Sequence, residues 1–550
     1  MTDRHARTNV RSLPSARPIV AAGDPVLVVG AGPTGLLTAL LLARQGVAVR
    51  IVDRNDGPVE TSRAMGVQAR TLEFYRMLGM ADQAVRLGSK CDTVRVRRLG
   101  RERATFSLAS MGEGLSPFPF MLALAQDVHE RFLIDGLGGL GVEVERGTEL
   151  IGVEQDAAGV TASVRRDGDE RAIRAAYLVG ADGAGSAVRH AVGIGFGGGT
   201  STGLFYVADV ELSGETGTDI MVGFGPDTLG LLMPVRTSGT KRMIGIVPPD
   251  LAHRDDLAFE DIRARAEGLL GVNARAVNWF STYRVHHRVA EAFRVRRCFV
   301  AGDAGHVHSP VGGQGMNTGL GDAMNLAWKL ADAIHGRADA AILDTYHAER
   351  HAFAKALIET TDAAFQRMIA RSRLGRFLRV SVAPRLIGTL TRSRLTRRAL
   401  FRTVSQTRIA YPRSALSEGR AGGVRGGDRM PWVEAAGNHA PLDARSWQVH
   451  VHGAVDDELL AAADGLGLTV QRFDWRPATG RAGLERDAAY LLRPDGHVAL
   501  AGATAGSLHA YADRIGLRPA PMASGALGAS RAGPDPAGIV ASRSGEVQAA

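Results

Sequence analysis

Three short glycine-bearing runs, far apart in the chain, combine residue types that can hold a phosphorylated ligand. The first, Gly30-Ala31-Gly32-Pro33-Thr34-Gly35, joins the apolar run PVLVVG to the helical run LLTALLLARQG. Gly30 permits a tight turn, Gly32 lets the backbone approach a diphosphate, and Gly35 lets helix and strand pack closely. The helix beginning there offers unpaired N–H donors and a partial positive charge to the same anion. Asp53 closes the next run, VAVRIVD, where a carboxylate accepts ribose hydroxyls. Arg54 beside it suits either the adenosine end or plain solvent. This unit binds a dinucleotide without choosing between nicotinamide and flavin.

Two further runs decide that choice. Gly180-Ala181-Asp182-Gly183-Ala184-Gly185-Ser186-Ala187-Val188-Arg189 follows the apolar run AAYLV. Gly302-Asp303-Ala304-Gly305-His306 precedes Pro310 and then Gly312-Gly313-Gln314-Gly315-Met316-Asn317. In this order and spacing the three runs closely resemble those of the class A, single-component flavoprotein monooxygenases typified by para-hydroxybenzoate hydroxylase and phenol hydroxylase. The resemblance spans about residues 24–415. It implies an α/β fold: a Rossmann-like FAD-binding domain, a β-sheet substrate domain and a C-terminal thioredoxin-like module. It also implies FAD as cofactor, NAD(P)H as reducing co-substrate, and hydroxylation of a small aromatic, phenolic substrate by dioxygen through a flavin hydroperoxide.

Residue roles follow from the same resemblance. Gly30 to Gly35 and Asp53 would hold the diphosphate and ribose, and Asp182 and Gly183 would touch the FAD or NAD(P)H diphosphate. Gly302 and Asp303 would bind the ribityl chain. Pro310, Gly312, Gly313, Gly315, Met316 and Asn317 would lie at the flavin ring, where backbone N–H groups stabilise negative charge on its pyrimidine edge. Arg63, in Ser62-Arg63-Ala64, and Gln126, ahead of Glu130 and Arg131, resemble two further FAD contacts. No nucleophile or metal is needed; the flavin carries the chemistry, and Pro310, Gly312 and Gly313 are the pocket candidates. Three departures stand out: Asp53 replaces a common Glu, GDAGH replaces GDAAH, and Met65 occupies the neighbourhood where some phenol hydroxylases place an acid. Substrate activation therefore stays unassigned.

Other patterns read as structural. Gly193-Ile194-Gly195-Phe196-Gly197 imitates a dinucleotide fingerprint but follows a helix, with no strand before it. His306 and His308 have metal-like spacing without Cys or acidic companions, and Glu130 reads as a lone helical carboxylate. Tyr283, Arg284, His286, His287 and Arg288 precede the Asp303 strand and are candidates to reach the pocket. The five Trp residues are isolated and form no WxWxIP signature, which argues against a halogenase. Baeyer–Villiger and epoxidising variants share these motifs and stay open. A non-catalytic carrier of the same fold is expected to lack the Asp303 and 312–317 set.

The elements that must position these residues fit a chain of 550 residues with 45% hydrophobic and 22% charged side chains, enough for two or three cores. The reading assigns 24–200 and 290–360 to the FAD domain and 201–289 to a substrate sheet, with strong alternation over 205–247. It places helices near 71–80, 127–137 and 319–335. A C-terminal α/β module is expected over 416–518, lacking CxxC and suited to packing or dimer contact. The arm 1–23 and the Ala/Gly/Ser/Pro-rich tail 519–550 are expected to be disordered. Cys91 and Cys298, the two cysteines, form no cluster, which suits a reducing, cytoplasmic setting; residues 1–24 do not read as a signal peptide. Residues 361–413 hold 13 Arg, no Lys and one acid, Asp362, a net of +12 against +9 for the whole chain. Solvated surface helices explain this segment best, with membrane-surface contact the alternative; nucleic acid is excluded for want of a recognition fold.

Overall fold

The computed structural model describes residues 23–58, 64–214, 217–226, 228–235, 239–308, 313–369, 382, 386 and 393–519. The expected arm, the tail beyond residue 519 and most of 370–392 of the arginine-rich segment lie outside the described residues.

The nucleotide domain is built on a six-stranded sheet in the order Arg294–Val295, Cys298–Val300, Tyr177–Gly180, Val26–Val29, Val49–Val52, Val144–Glu145. All adjacent pairs but the first are parallel. Val26–Val29 and Tyr177–Gly180 are wholly buried, which is why they read as unbroken apolar runs rather than alternating ones. Helix α1 (Pro33–Arg44) follows the first strand, with Pro33 at its first position, where a missing N–H costs nothing. Helices α2 (Ala69–Met77), α3 (Gln126–Gly138), α4 (Gly315–Ile334) and α5 (Asp344–Ile369) complete this part.

The second layer is an eight-stranded sheet ordered His306–Val307, Ala274–Ala290, Phe196–Leu212, Lys241–Ile246, Leu229–Pro234, Ile220–Phe224, Thr93–Arg98, Arg101–Ser107. Its last two strands come from the span that sequence position had assigned to the FAD domain; Ile220–Phe224 recruits them through a parallel pairing, Val222 opposite Val96. Alternation separates the two faces. Tyr206, Ala208, Met221, Leu232 and Met243 pack on the helix Phe259–Leu270, while Phe205, Val222, Leu231 and Ile244 point the other way.

Helix α6 (Arg394–Val404) leads into a C-terminal module with a second six-stranded sheet. Gln448–His452 pairs parallel with Thr469–Phe473 through the helix Asp457–Gly465, then antiparallel with Ala489–Leu492, which pairs with Val498–Ala501 before the helix Ala505–Ile515. Ala489–Leu492 and Val498–Ala501 form a hairpin, because Asp495 and Gly496 turn the chain. This module shares one core with the nucleotide domain: Trp447 meets Trp328 edge-on at 5.3 Å and donates Nε1–H to Asp332 at 2.9 Å. Among the described residues no helix is long and apolar enough to cross a membrane.

Candidate active site

Strand register brings the three runs together. Val52, Val29, Gly180 and Val300 stand side by side at the carboxyl ends of four parallel strands. Ala181 N–H donates to Val29 O at 2.7 Å and Ala301 N–H to Gly180 O at 2.9 Å, so the ladder runs one residue into the loops before they diverge. The loops then open on one cavity of about 1090 Å³.

In the first run, Gly30 to Thr34 line this cavity. Gly30 has φ of 102°, and a Cβ there would collide with the Ala181 carbonyl, so only glycine lets the first and second loops touch. Gly35 lies behind the wall, packed on Gly30, and no side chain caps the start of α1. Asp53 and Arg54 also line the cavity. The Asp53 carboxylate accepts from Ala31 N–H at 2.6 Å and Asn55 N–H at 2.8 Å, with Arg146 Nη1 3.8 Å away. Gln126 and Glu130 face the same end, joined at 2.9 Å, so Glu130 belongs to the wall rather than to the core alone.

Asp182 and Gly183 line the cavity from the second loop, with open space where a Gly183 Cβ would stand. Asp182 accepts from Val188 N–H at 3.1 Å, and burial raises its carboxyl pKa. Arg189, last residue of the second run, donates to Ala304 O at 2.9 Å and Ala184 O at 2.8 Å, stapling the second loop to the third. In that third loop Asp303 faces the cavity; enclosure by protein raises its pKa, His306 opposes the rise and Asp322 adds to it. Gly302 does not line the cavity: it packs on Thr34 of the first run, as does Gly319 of α4. Gly313, Gly315 and Met316 line the wall at the uncapped start of α4. Asn317 sits behind them, accepting from Gln68 N–H and Thr71 Oγ1 at 2.8 Å and donating to Gly66 O and Gly313 O. Arg63, Pro310 and Gly312 lie outside the described residues.

The facing wall is apolar. The sheet contributes Phe205, Val222, Leu231, Met233, Ile244 and Ile246; Phe120 and Met111 close one side, and Leu400, Phe401 and Val404 of α6 another. Met65 is buried at the junction of the two halves. None of the candidates Tyr283, Arg284, His286, His287 or Arg288 lines the cavity. Tyr283 instead stacks on Phe205 at 5.6 Å from the neighbouring strand, where register sets the two side chains opposite each other on one face of the sheet. His306 is bound to Asp322 at 2.7 Å, His308 faces the cavity, and the described residues hold no group of three metal-ligating side chains. Gly195 packs on Glu291, and the 193–197 run takes no part in the cavity.

Reading the sequence missed Arg189, Arg146, Asp322 and Gly319. The two arginines and the carboxylate bond to loops remote in the chain; VR at 188–189 and GLGD at 319–322 offered a local signal, and Arg146 offered none.

A family model described as an FAD binding domain matches residues 24–361. The 6-methylpretetramide 4-monooxygenase of Streptomyces rimosus is 41% identical over 356 residues, 63% of this chain and 62% of that protein, so the match spans under two thirds of that relative. Pentachlorophenol 4-monooxygenase of Sphingobium chlorophenolicum is 30% identical over 443 residues, 77% of this chain and 79% of that one. The solved anhydrotetracycline hydroxylase of Streptomyces rimosus aligns with a TM-score of 0.73 at 28% identity, covering 90% of this chain and 100% of that chain. Aklavinone-11 hydroxylase, solved with FAD and aklavinone, aligns at 0.72 and 28%, covering 89% and 98%. Loops converging on strand ends, an apolar wall opposite and these similarities agree: the chain belongs to the FAD-binding-domain family of flavin-dependent aromatic monooxygenases.

Proposed function

We propose that this protein hydroxylates a polycyclic, phenolic aromatic compound, using FAD, NAD(P)H and dioxygen. The observation that carries the reading is the two-sided cavity. The cavity measures about 1090 Å³, at the upper end of the range for ligand and cofactor pockets, and has one polar and one apolar wall. It is sized and divided for a dinucleotide cofactor beside a broad, flat substrate. Relatives named for 6-methylpretetramide, anhydrotetracycline and aklavinone support a multi-ring substrate.

The residues present fit FAD. Two helix starts, α1 and α4, carry no side-chain cap and both open on the cavity, leaving their amides for a ligand. A Cβ on Gly32 would meet open space, which is room for the diphosphate. In this assignment α1 and Gly183 hold the diphosphate, Asp53 and Arg54 the adenosine ribose, and Asp303 the ribityl chain. Gly313, Gly315 and Met316 present N–H groups to the pyrimidine edge. Bound FAD, reduced by NAD(P)H, supplies the activation of dioxygen and the transfer of one oxygen atom to the ring. The chain's part is positional: the start of α4 favours negative charge at the ring edge, the loops fix its plane, and the sheet face excludes water from the reacting atoms. Among the described residues, sheet and α6 bring only apolar side chains and glycine to the cavity, so this wall suits the face of an electron-rich aromatic ring and supplies no base to deprotonate it. The β-α-β-α-β-β-α order from Gln448 to Ile515 supports the thioredoxin-like reading of that module, with packing as its role.

The test is NAD(P)H oxidation by the flavin-loaded protein over a panel of monocyclic and tetracyclic phenols. Oxidation stimulated by tetracyclic phenols, with oxygen from dioxygen in the product, is the expected result. A protein that stays colourless after incubation with FAD favours the carrier reading and overturns this one.

A further inference from the structure

Beyond the end of α6 the chain reaches Gln406 and turns toward the C-terminal module. Gln406 has φ of 60°, a left-handed conformation that a residue bearing a Cβ seldom adopts. Its side chain is 4% exposed. Nε2 donates to Thr318 Oγ1 at 3.0 Å and to Gln314 O at 3.4 Å. Gln314 is the N-cap of α4 and Thr318 lies in its first turn. The neighbouring residue, Ser405, lines the cavity, and its carbonyl accepts from Arg70 N–H at 3.2 Å. The remaining Thr318 groups are taken as well: its hydroxyl donates to Gln314 O at 2.9 Å and its carbonyl accepts from Arg350 Nη2 at 2.9 Å. Strained, buried residues persist where their surroundings over-determine them, and they concentrate at functional sites. Here the bonds gained by the strained residue are those that hold a helix end facing the cavity.

We propose that Gln406 is a positioning residue, which clamps the first turn of α4 so that its amides stand at the depth of the flavin ring. This rests on the FAD assignment above. Gln406, which does not itself line the cavity, thereby helps to tune the group bound there.

Two variants separate strain from bonding. Gln406→Gly relieves the left-handed backbone and removes the side chain; Gln406→Asn tolerates that backbone but is one methylene short of Thr318. Relief of the left-handed backbone offsets the lost bonds in Gln406→Gly, whose apoprotein is expected to melt near wild type, while Gln406→Asn melts slightly lower. Amide exchange at 314–318 in the apoprotein should quicken in both, with exchange in α3 unaltered. The dissociation constant for FAD, titrated onto apoprotein, should rise roughly five-fold, the loss of about one neutral hydrogen bond. The reduction potential of bound FAD should become more negative. Unchanged exchange and potential in both variants, or a lowered midpoint with no change in potential, would overturn the clamp. A wild type that takes up no FAD would sink the cofactor assignment instead, and exchange in the apoprotein would still decide the clamp.

Discussion

Asp303 reaches the cavity from a loop that other residues hold in place. Asp322 accepts from Gly302 N–H at 2.9 Å, from His306 at 2.7 Å and from Arg350 Nε at 2.7 Å. Burial works against charge on Asp322, but Arg350 and His306 overcome it and hold its pKa below the usual carboxylate range. The turn that displays Asp303 is therefore pinned by a neighbouring anion. Asp303→Ala is expected to weaken FAD binding by about ten- to a hundred-fold, the scale of one charge-assisted hydrogen bond, whereas Asp362→Ala should leave it unaltered. Titration of FAD onto both apoproteins checks this; equal affinities would remove the third run from the site. Asp303 was legible in the sequence because it sits in a run whose spacing has a chemical meaning. Asp322, nineteen residues on, was not, because its partners are chosen by where α4 packs.

At the scale of elements, alternation over 205–247 correctly announced a sheet with two different faces, since period-2 patterning follows from strand geometry alone. It could not announce that 93–107 would join that sheet, because strand pairing between distant segments leaves no local trace. Helix α6 shows the same limit. Its arginines are conspicuous in the sequence, yet its contribution to the site is the apolar stripe Leu400, Phe401 and Val404. Phe401 is 3% exposed and lies against Gly112, where a Cβ would stand 2.6 Å from its ring. Phe401→Ala should cost about 3 kcal/mol of stability. It should also open the apolar wall to water, so that more hydrogen peroxide appears per NAD(P)H consumed. Urea unfolding and a peroxide assay check the two halves; unchanged coupling would place Phe401 outside the reaction chamber.

The whole molecule is tied together by buried ions. Arg493 of the C-terminal module binds Glu349 of α5 at 2.7 Å, Glu349 binds Lys329 of α4 at 2.8 Å, and Arg429 joins Glu73 of α2. Burial opposes ionisation of Glu73, but Arg429 and Arg70 hold its pKa down to about 2. Burial lowers His452 to about 4, and burial with Arg429 lowers His439 to about 3. For Glu73, His439 and His452 the signs agree, while the raised Asp182 and Asp303 carboxyls oppose them. The histidines are folded neutral, so stability is whole above about 6.5 and falls as pH drops towards 4, since the unfolded chain binds their protons first. Glu73 adds a second loss from about 4.5 downward, where its carboxylate is protonated in the unfolded state before the folded one. Stability should thus decline below pH 6.5 by roughly 3 kcal/mol per buried histidine before the acid range is reached. Urea midpoints between pH 8 and 4 test it; a flat profile would mean that these histidines are solvated.

By itself the sequence determined the ligand chemistry. Glycines at a strand end, a helix start and a terminal carboxylate are local arrangements, and local geometry is written in neighbouring residues. The tertiary structure alone decided which loops meet, which sheet walls the cavity and which side chains hold the loops still. Those outcomes depend on register between strands far apart in the chain: Val29 beside Gly180 and Gly180 beside Val300. They also depend on buried partners such as Arg189, Asp322 and Gln406, whose acceptors are brought near only when the core closes.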